Sequence, residues 1–213
     1  TLRVTPVGPV LLQTHLDRLV AGCLALGIPF GSRETEIWWR QAFAHGLLAP
    51  ETPAVLKVTV TAGSGGRGYR PPEIVSPRVI TSIGPAPEVP RDGARIRLCR
   101  QTLATAAPAQ GCKTLARLDQ VLASAELAAG EFEGLMAVDE QSGWIEGTRT
   151  CLFSVMDQKL VTPPRDQLAV AGVLRDWLIT NLDRMGLAVE ERGLTLLELW
   201  KHGLLLGNSV FGL

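Results

Sequence analysis

The 213-residue sequence predicts an α+β protein in two lobes. Three observations predict it. Strands come as hairpins mixed with amphipathic helices, without the regular strand–helix alternation of a doubly wound sheet. The stretch 102–112 carries small residues and Pro108 and reads as a linker, so lobes are expected over 1–101 and 113–213. Hydrophobic residues make up 46% and charged residues 20%, a balance that builds a core and excludes a disordered chain.

In the first lobe, residues 14–27 read as a helix. Thr14 is its expected cap, Asp17 completes a variant of the capping box, and Gly27 is its stop. Leu16, Leu19, Val20, Cys23 and Leu24 form the apolar stripe, with His15 and Arg18 off it. A second helix is expected over 34–48, with Ile37, Trp38, Ala42 and Leu48 as core candidates. Residues 55–61 alternate strictly, with Leu56, Val58 and Val60 on one face, and run into the loop Gly63-Ser64-Gly65-Gly66-Arg67-Gly68-Tyr69. A strand over 78–83, a proline-rich loop over 84–93 and a strand over 95–101, with Ile96 and Leu98 on one face, complete the lobe.

Beyond the linker, 114–129 reads as a helix with Leu115, Leu118, Val121, Leu122 and Ala125 at core spacing. A strand over 134–139, a Gln141-Ser142-Gly143 turn and strands over 150–156 and 159–162 follow. Pro163-Pro164 breaks the pattern, and a helix over 171–185 stops at Gly186. A strand (187–191), a short helix (195–201) and a strand (204–207) close the chain. Thr1 opens inside an apolar/polar alternation and Leu213 closes an apolar run, so further segments are expected at both ends.

The 21 basic and 21 acidic residues cancel, which argues against a general nucleic-acid binder. No apolar run reaches about 18 residues, so no membrane span is expected. Cys23, Cys99, Cys112 and Cys151 stand apart with no CxxC pair. Neither a metal site nor a disulfide framework is expected, and thiols in a reducing cytoplasm are.

The candidate chemical residues each have a plain reading beside the functional one. The glycine loop lacks the Lys-Ser/Thr that ends a nucleotide P-loop, and such loops are commonly hairpin tips. Arg67 within it can approach a carboxylate or phosphate closely. Lys113 is either a solvated lysine at a helix start or a Schiff-base amine, which needs a lowered pKa. Glu146 is either an exposed strand end or a carboxylate paired with a cofactor nitrogen. Arg18 is a solvated helix charge or a phosphate clamp, and Asn208-Ser209 a simple turn or part of a backbone phosphate cradle.

Their order along the chain is more specific than any one of them. With His15-Leu16-Asp17-Arg18-Leu19, the SGGRGY loop over 64–69, Lys113-Thr114-Leu115-Ala116-Arg117-Leu118-Asp119-Gln120, Ile145-Glu146-Gly147-Thr148, Ala171-Gly172-Val173-Leu174-Arg175 and Asn208-Ser209-Val210-Phe211-Gly212, the sequence resembles the 4-amino-4-deoxychorismate lyases. These belong with the fold-type IV pyridoxal-phosphate enzymes, which include the D-amino-acid and branched-chain aminotransferases. The resemblance covers nearly all of the chain.

It implies that Lys113 holds pyridoxal 5′-phosphate covalently and that Glu146 faces the pyridine nitrogen. Arg18, the backbone amides of Val173 and Leu174, and the Asn208-Ser209 loop would bind the phosphate. Arg3 and Arg67 are weaker candidates for the substrate carboxylates. The implied reaction converts 4-amino-4-deoxychorismate to 4-aminobenzoate and pyruvate for folate synthesis, in a cytoplasmic homodimer. An aminotransferase of the same fold and a catalytically silent binding protein are the alternatives. The sequence departs from the family at Ala62, at Ala116 and Cys151, where asparagines are usual, and at His202-Gly203.

Overall fold

A computed structural model describes residues 1–90, 93–104, 110–139 and 143–213. These form two compact units, Thr1–Pro87 and Glu88–Leu213.

The first unit is a four-stranded antiparallel sheet carrying two helices. β1 (Leu2–Thr5) pairs with the two-residue β2 (Gly8–Pro9) and with β3 (Ala54–Thr61), and β3 pairs along its whole length with β4 (Arg78–Pro85). The glycine-rich loop joins β3 to β4, as the alternation in β3 predicts. The helices α1 (Leu12–Ala25) and α2 (Ser32–Ala44) supply Leu16, Trp38 and Ala42 to a core completed by Leu2, Val4, Leu48 and Leu56. Trp38 Nε1 donates to Thr81 Oγ1 at 2.9 Å, tying α2 to β4.

Several local expectations need correction here. α1 begins at Leu12 behind Leu11, which takes a left-handed conformation (φ 51°), so Thr14 lies inside the helix and caps nothing. The rotation of α1 buries His15 beside Leu16 and leaves Leu24 exposed. Ile37 of α2 is exposed as well, because α2 is read through Trp38 and Ala42. The stop at Gly27 is as expected: Ile28 N–H reaches back to Cys23 O at 2.8 Å and Gly27 N–H to Leu24 O at 3.1 Å, a Schellman closure.

The second unit is built on a seven-stranded sheet. β5 (Ile96–Leu98) lies parallel to β6 (Glu133–Ala137), which is followed across the sheet by β7 (Trp144–Gly147), β8 (Cys151–Met156), β9 (Lys159–Thr162) and β10 (Val189–Glu191). β11 (Leu205–Gly207) pairs with β8. Successive strand residues face opposite ways. Leu135, Leu152 and Val161 therefore pack with Leu194 and Leu199, while Met136 and Ile145 pack with Ala123, Leu103 and Leu168. Three helices serve this sheet: α3 (Leu118–Ala125), α4 (Val173–Arg184) and α5 (Leu196–His202).

The division between the units falls at 87/88 and not at 101, because β5 is a strand of the second sheet. Residues beyond β5 stay on that sheet: Cys99 and Leu103 are buried, and Leu103 N–H donates to Ala137 O at 2.9 Å. Part of the expected linker (105–109) and of the expected 141–143 turn lies outside the described residues. In β5, Leu98 is exposed and Cys99 takes the buried place expected of it.

The largest departure is α3. It is shorter than expected, leaving Leu115 outside it and 70% exposed, and its apolar stripe is not core: Leu118, Val121 and Leu122 are 68%, 62% and 46% exposed, and only Ala123 is fully buried. Ala125 is exposed too. The periodicity marks one face, and among the described residues nothing covers it.

The core of the first unit gives a direct test. Leu56 is fully buried at the meeting of β1, β3 and both helices. Leu56→Ala is expected to lower the unfolding free energy by about 2–5 kcal/mol in urea titration. A change below about 0.5 kcal/mol would show that this cluster is not a packed core.

Candidate functional site

Glu146 lies on the central strand β7, cross-strand from Met136 on β6 and from Cys151 on β8. A carboxylate in that position has no water to solvate it, so it needs protein donors. Ala169 N–H donates to Oε2 at 3.0 Å, Val170 N–H to the same oxygen at 3.4 Å, and Gln120 Nε2 approaches Oε1 at 3.5 Å. Burial dominates and pushes the Glu146 carboxyl up to about 7, against the pull of the Val170 and Ala169 amides and the Arg117 guanidinium. The structure thus rejects the exposed strand end and supports a buried, proton-poised carboxylate.

The lysine loop is tied to the same strip of backbone. Gly111 N–H donates to Leu168 O at 3.2 Å, and Ala171 N–H returns a bond to Gly111 O at 2.9 Å. Arg117 closes the loop from its other end. Its Nη1 donates to Ala169 O at 3.2 Å, its Nε to Thr114 O at 3.3 Å, and its Nη2 to Cys112 O. The carbonyls on both sides of Lys113 are therefore anchored to the residue whose N–H holds Glu146. Lys113 itself is exposed.

A third piece is the start of α4. Its first intrahelical bond runs from Asp176 N–H to Gly172 O at 3.0 Å, which leaves the amides of Val173 and Leu174 pointing out of the helix start. Such an end favours an anion. Gly172 fits against β8 because a Cβ there would collide with the Cys151 Sγ. The last loop closes on the same place. A Cβ at Gly207 would come within 3.1 Å of Leu174 Cδ2 and 2.6 Å of Gly212 O. Asn208 Oδ1 accepts from Val210 and Phe211 N–H at 2.8 and 3.2 Å, and Asn208 Nδ2 donates to Arg149 O at 3.1 Å. Ser209 lies within that turn, part-buried.

Lys113, Glu146, Val173, Leu174, Asn208 and Ser209 thus belong to one connected part of the second unit. Arg3, Arg18 and Arg67 belong to the first. Arg3 is on β1 and Arg18 on α1, both part-buried, and Arg67 is exposed in the glycine loop. Of the departures from the family pattern, Cys151 is buried between Glu146 and Gly172, while Ala116 is exposed.

Three charged residues behind the site were not singled out from sequence. Arg117 is the clamp just described. Arg175, fully buried, fixes α4 by donating from Nη2 to Pro163 O at 2.8 Å and to Glu191 Oε2 at 2.5 Å. Glu133, also fully buried, braces the β7–β8 turn. Its Oε1 accepts from Thr148 N–H at 3.1 Å and from the Thr148 hydroxyl, and Arg149 Nε stands 3.5 Å from its Oε2. No local signal marks them: Arg117 lies between Lys113 and Asp119, Glu133 two residues after Glu131 and Arg175 directly before Asp176, as charges on a solvated face do.

A buried carboxylate on β7, a lysine loop tied to the backbone that holds it and the open start of α4 share one unit, within a fold of the class IV aminotransferase type. The amino-transferase class IV family model matches residues 1–213, and the chain belongs to that family. Among relatives, it is 31% identical over 191 residues to the aminodeoxychorismate lyase of Vibrio harveyi, covering 88% of this chain and 69% of that one. Among solved structures, it superimposes on 4-amino-4-deoxychorismate lyase from Pseudomonas aeruginosa with a TM-score of 0.86 and 38% identity, covering 99% of this chain and 78% of that one. The branched-chain aminotransferase of Escherichia coli shares the fold with a TM-score of 0.81 at 22% identity, covering 98% of this chain and 71% of that one. Another branched-chain aminotransferase of this fold, at 21% identity and a TM-score of 0.81, is complexed with N-(5′-phosphopyridoxyl)-L-glutamate. Fold-type IV enzymes use pyridoxal phosphate, and the donor set here fits it. A buried carboxyl suits the ring nitrogen, a lysine amine suits the aldehyde, and a helix start with two outward amides suits the phosphate.

The raised Glu146 carboxyl has a measurable consequence. Unfolded, it ionises near 4.5; folded and without cofactor, near 7. Between those values the folded state holds a proton the unfolded state has lost, so stability falls as pH rises through the window. The full effect is on the order of 3 kcal/mol above pH 7. Urea unfolding of the cofactor-free protein at pH 5 and pH 8 is expected to show this loss, and Glu146→Gln to remove it. Parallel pH dependences in the two proteins would contradict the assignment.

Proposed function

We propose that this chain is a pyridoxal-phosphate lyase that converts 4-amino-4-deoxychorismate to 4-aminobenzoate and pyruvate. The observation that carries this reading is the anchoring of the Lys113 loop to the backbone that holds the buried Glu146. The identity to lyases of this activity favours it over transamination.

Pyridoxal phosphate, when bound, supplies an electron sink for loss of a proton next to the substrate nitrogen. Lys113 would hold the cofactor through its side-chain amine. The same amine takes the proton from the ring carbon that bears nitrogen. Glu146 keeps the pyridine nitrogen protonated by pairing with it, which is why a carboxyl is needed there. Val173 and Leu174 amides and the Asn208-Ser209 loop would bind the phosphate, the role that the family resemblance also gives to Arg18. Arg3 and Arg67 are the weaker candidates, by resemblance, for the two substrate carboxylates. The enolpyruvyl C–O bond breaks, the leaving group takes up a proton to become pyruvate, and the ring becomes aromatic. Aromatisation drives the step, so the protein chiefly orients the substrate and holds the lysine in reach.

The same reading includes a cytoplasmic homodimer. The exposed apolar face of α3, with Leu118, Val121 and Leu122, supports a second copy of the chain. No disulfide joins the four cysteines. Among the described residues, no helix is long and apolar enough to cross a membrane.

Two variants test the assignment. Wild-type protein incubated with 4-amino-4-deoxychorismate is expected to release pyruvate without an added keto acid. Lys113→Ala is expected to lose both turnover and the borohydride-fixed cofactor mass. A requirement for a keto acid would instead identify an aminotransferase, and a fixed adduct on another lysine would remove Lys113 from the role. Arg18→Ala is expected to weaken cofactor affinity about tenfold while leaving the thermal midpoint near wild type, as loss of one charged phosphate contact of about 1.5 kcal/mol implies. Unchanged affinity would take Arg18 out of the phosphate site.

A further inference from the structure

We propose that Arg117 is a positioning residue for this reaction, fixing the backbone on both sides of Lys113 to the segment that holds Glu146. The inference rests on the roles of Lys113 and Glu146 given above. It concerns a side chain that touches neither substrate nor cofactor in that scheme.

Arg117 stands immediately before α3, as its N-cap residue, four positions after Lys113. A residue at such a place is ordinarily solvated. Here the guanidinium turns back under the loop and spends its three nitrogens on three carbonyls: Thr114 O from Nε, Ala169 O from Nη1 and Cys112 O from Nη2. No carboxylate is within ion-pair distance of it among the described residues, so this is backbone clamping and not a salt bridge. Burial lowers its pKa, with Glu146 the largest opposing influence, which sets the two groups in one electrostatic neighbourhood.

The consequence is geometric. Cys112 and Thr114 flank Lys113, so holding both carbonyls fixes the direction in which the Lys113 Cα–Cβ bond leaves the loop. Ala169 is the third point, and its own N–H donates to Glu146 Oε2 at 3.0 Å. One planar cation therefore sets the lysine and the carboxylate relative to each other through two short bonded paths. Only arginine can do this, because its donors diverge from a rigid plane; a lysine ammonium on a flexible stem can replace at most part of it. A loop released at this point would let the amine drift by about 1 Å, and drift of that size costs about 100-fold in rate.

The test compares wild type, Arg117→Lys and Arg117→Met as cofactor-loaded proteins. Both variants are expected to fold, judged by thermal midpoint. Each is expected to lose about 100-fold in kcat with KM changed less than about threefold, since substrate contacts are untouched and only the reacting geometry moves. Their lysine-bound cofactor is expected to show a shifted visible band and slower fixation by borohydride at Lys113. Backbone amides at 111–114 are expected to exchange faster with deuterium in the cofactor-free variants. A wild-type kcat in Arg117→Lys would overturn the proposal, because charge alone would then suffice. An unchanged kcat, visible band and amide exchange in Arg117→Met would overturn it too. If Arg117→Met fails to fold, the Lys variant decides by the same readouts. Fixation of the wild-type cofactor at a lysine other than Lys113 would instead refute the catalytic assignment, so the two failures are distinguishable.

Discussion

The site depends on the burial of one carboxylate in the middle of a sheet. Water would solvate Glu146 well; β7, flanked by β6 and β8, denies it water. Every feature around it answers that constraint. The 169–170 turn presents two amides to it, α3 sends Gln120 toward it, and the Lys113 loop is bound to the same turn. Even so, the donors do not outweigh burial, and the carboxyl remains poised about neutrality. In the proposed function a cationic ring nitrogen pairs with this group, and that pairing would return the carboxylate to its ionised form.

The scaffold around this group is arranged to hold it in place. Arg175 secures the start of α4 to β10 and to the Pro163 carbonyl, so the outward amides of Val173 and Leu174 have a fixed direction. Glu133 holds the turn that follows Glu146, and the Arg149 side chain packs over the Phe132 ring at 4.7 Å while its carbonyl receives Asn208. Phe132 in turn meets Phe211 edge-on at 5.7 Å. Lysine loop, helix start and final turn are thus three separate stretches of sequence that share neighbours. This is why their chemistry is recognised by order along the chain and becomes intelligible only in three dimensions.

Much of the architecture was legible before the structure. Strict alternation gave β3, Gly27 and Gly186 stopped their helices, and the ordered motifs brought out Lys113 and Glu146. What sequence could not show follows from the same physics. Periodicity in α3 identifies an apolar face but not whether this chain covers it, and Leu118, Val121 and Leu122 are exposed. Composition placed 95–101 with the first lobe, whereas a parallel pairing to β6 assigns β5 to the second. Thr14 is a good capping residue, yet the left-handed turn at Leu11 starts the helix earlier. Arg117, Glu133 and Arg175 carry charges that ordinarily face water, and nothing local says that backbone carbonyls and amides will satisfy them instead.

The central claim is that Glu146 is a buried carboxyl waiting for a cation. The most direct measurement follows its side-chain carbon by NMR in protein labelled with 13C-glutamate, assigned by loss of the signal in Glu146→Gln. The account predicts a titration near pH 7 in the cofactor-free protein, and an ionised carboxylate across the same range once pyridoxal phosphate is bound. A signal that titrates near 4.5 in the cofactor-free protein, like a carboxyl in water, would contradict it.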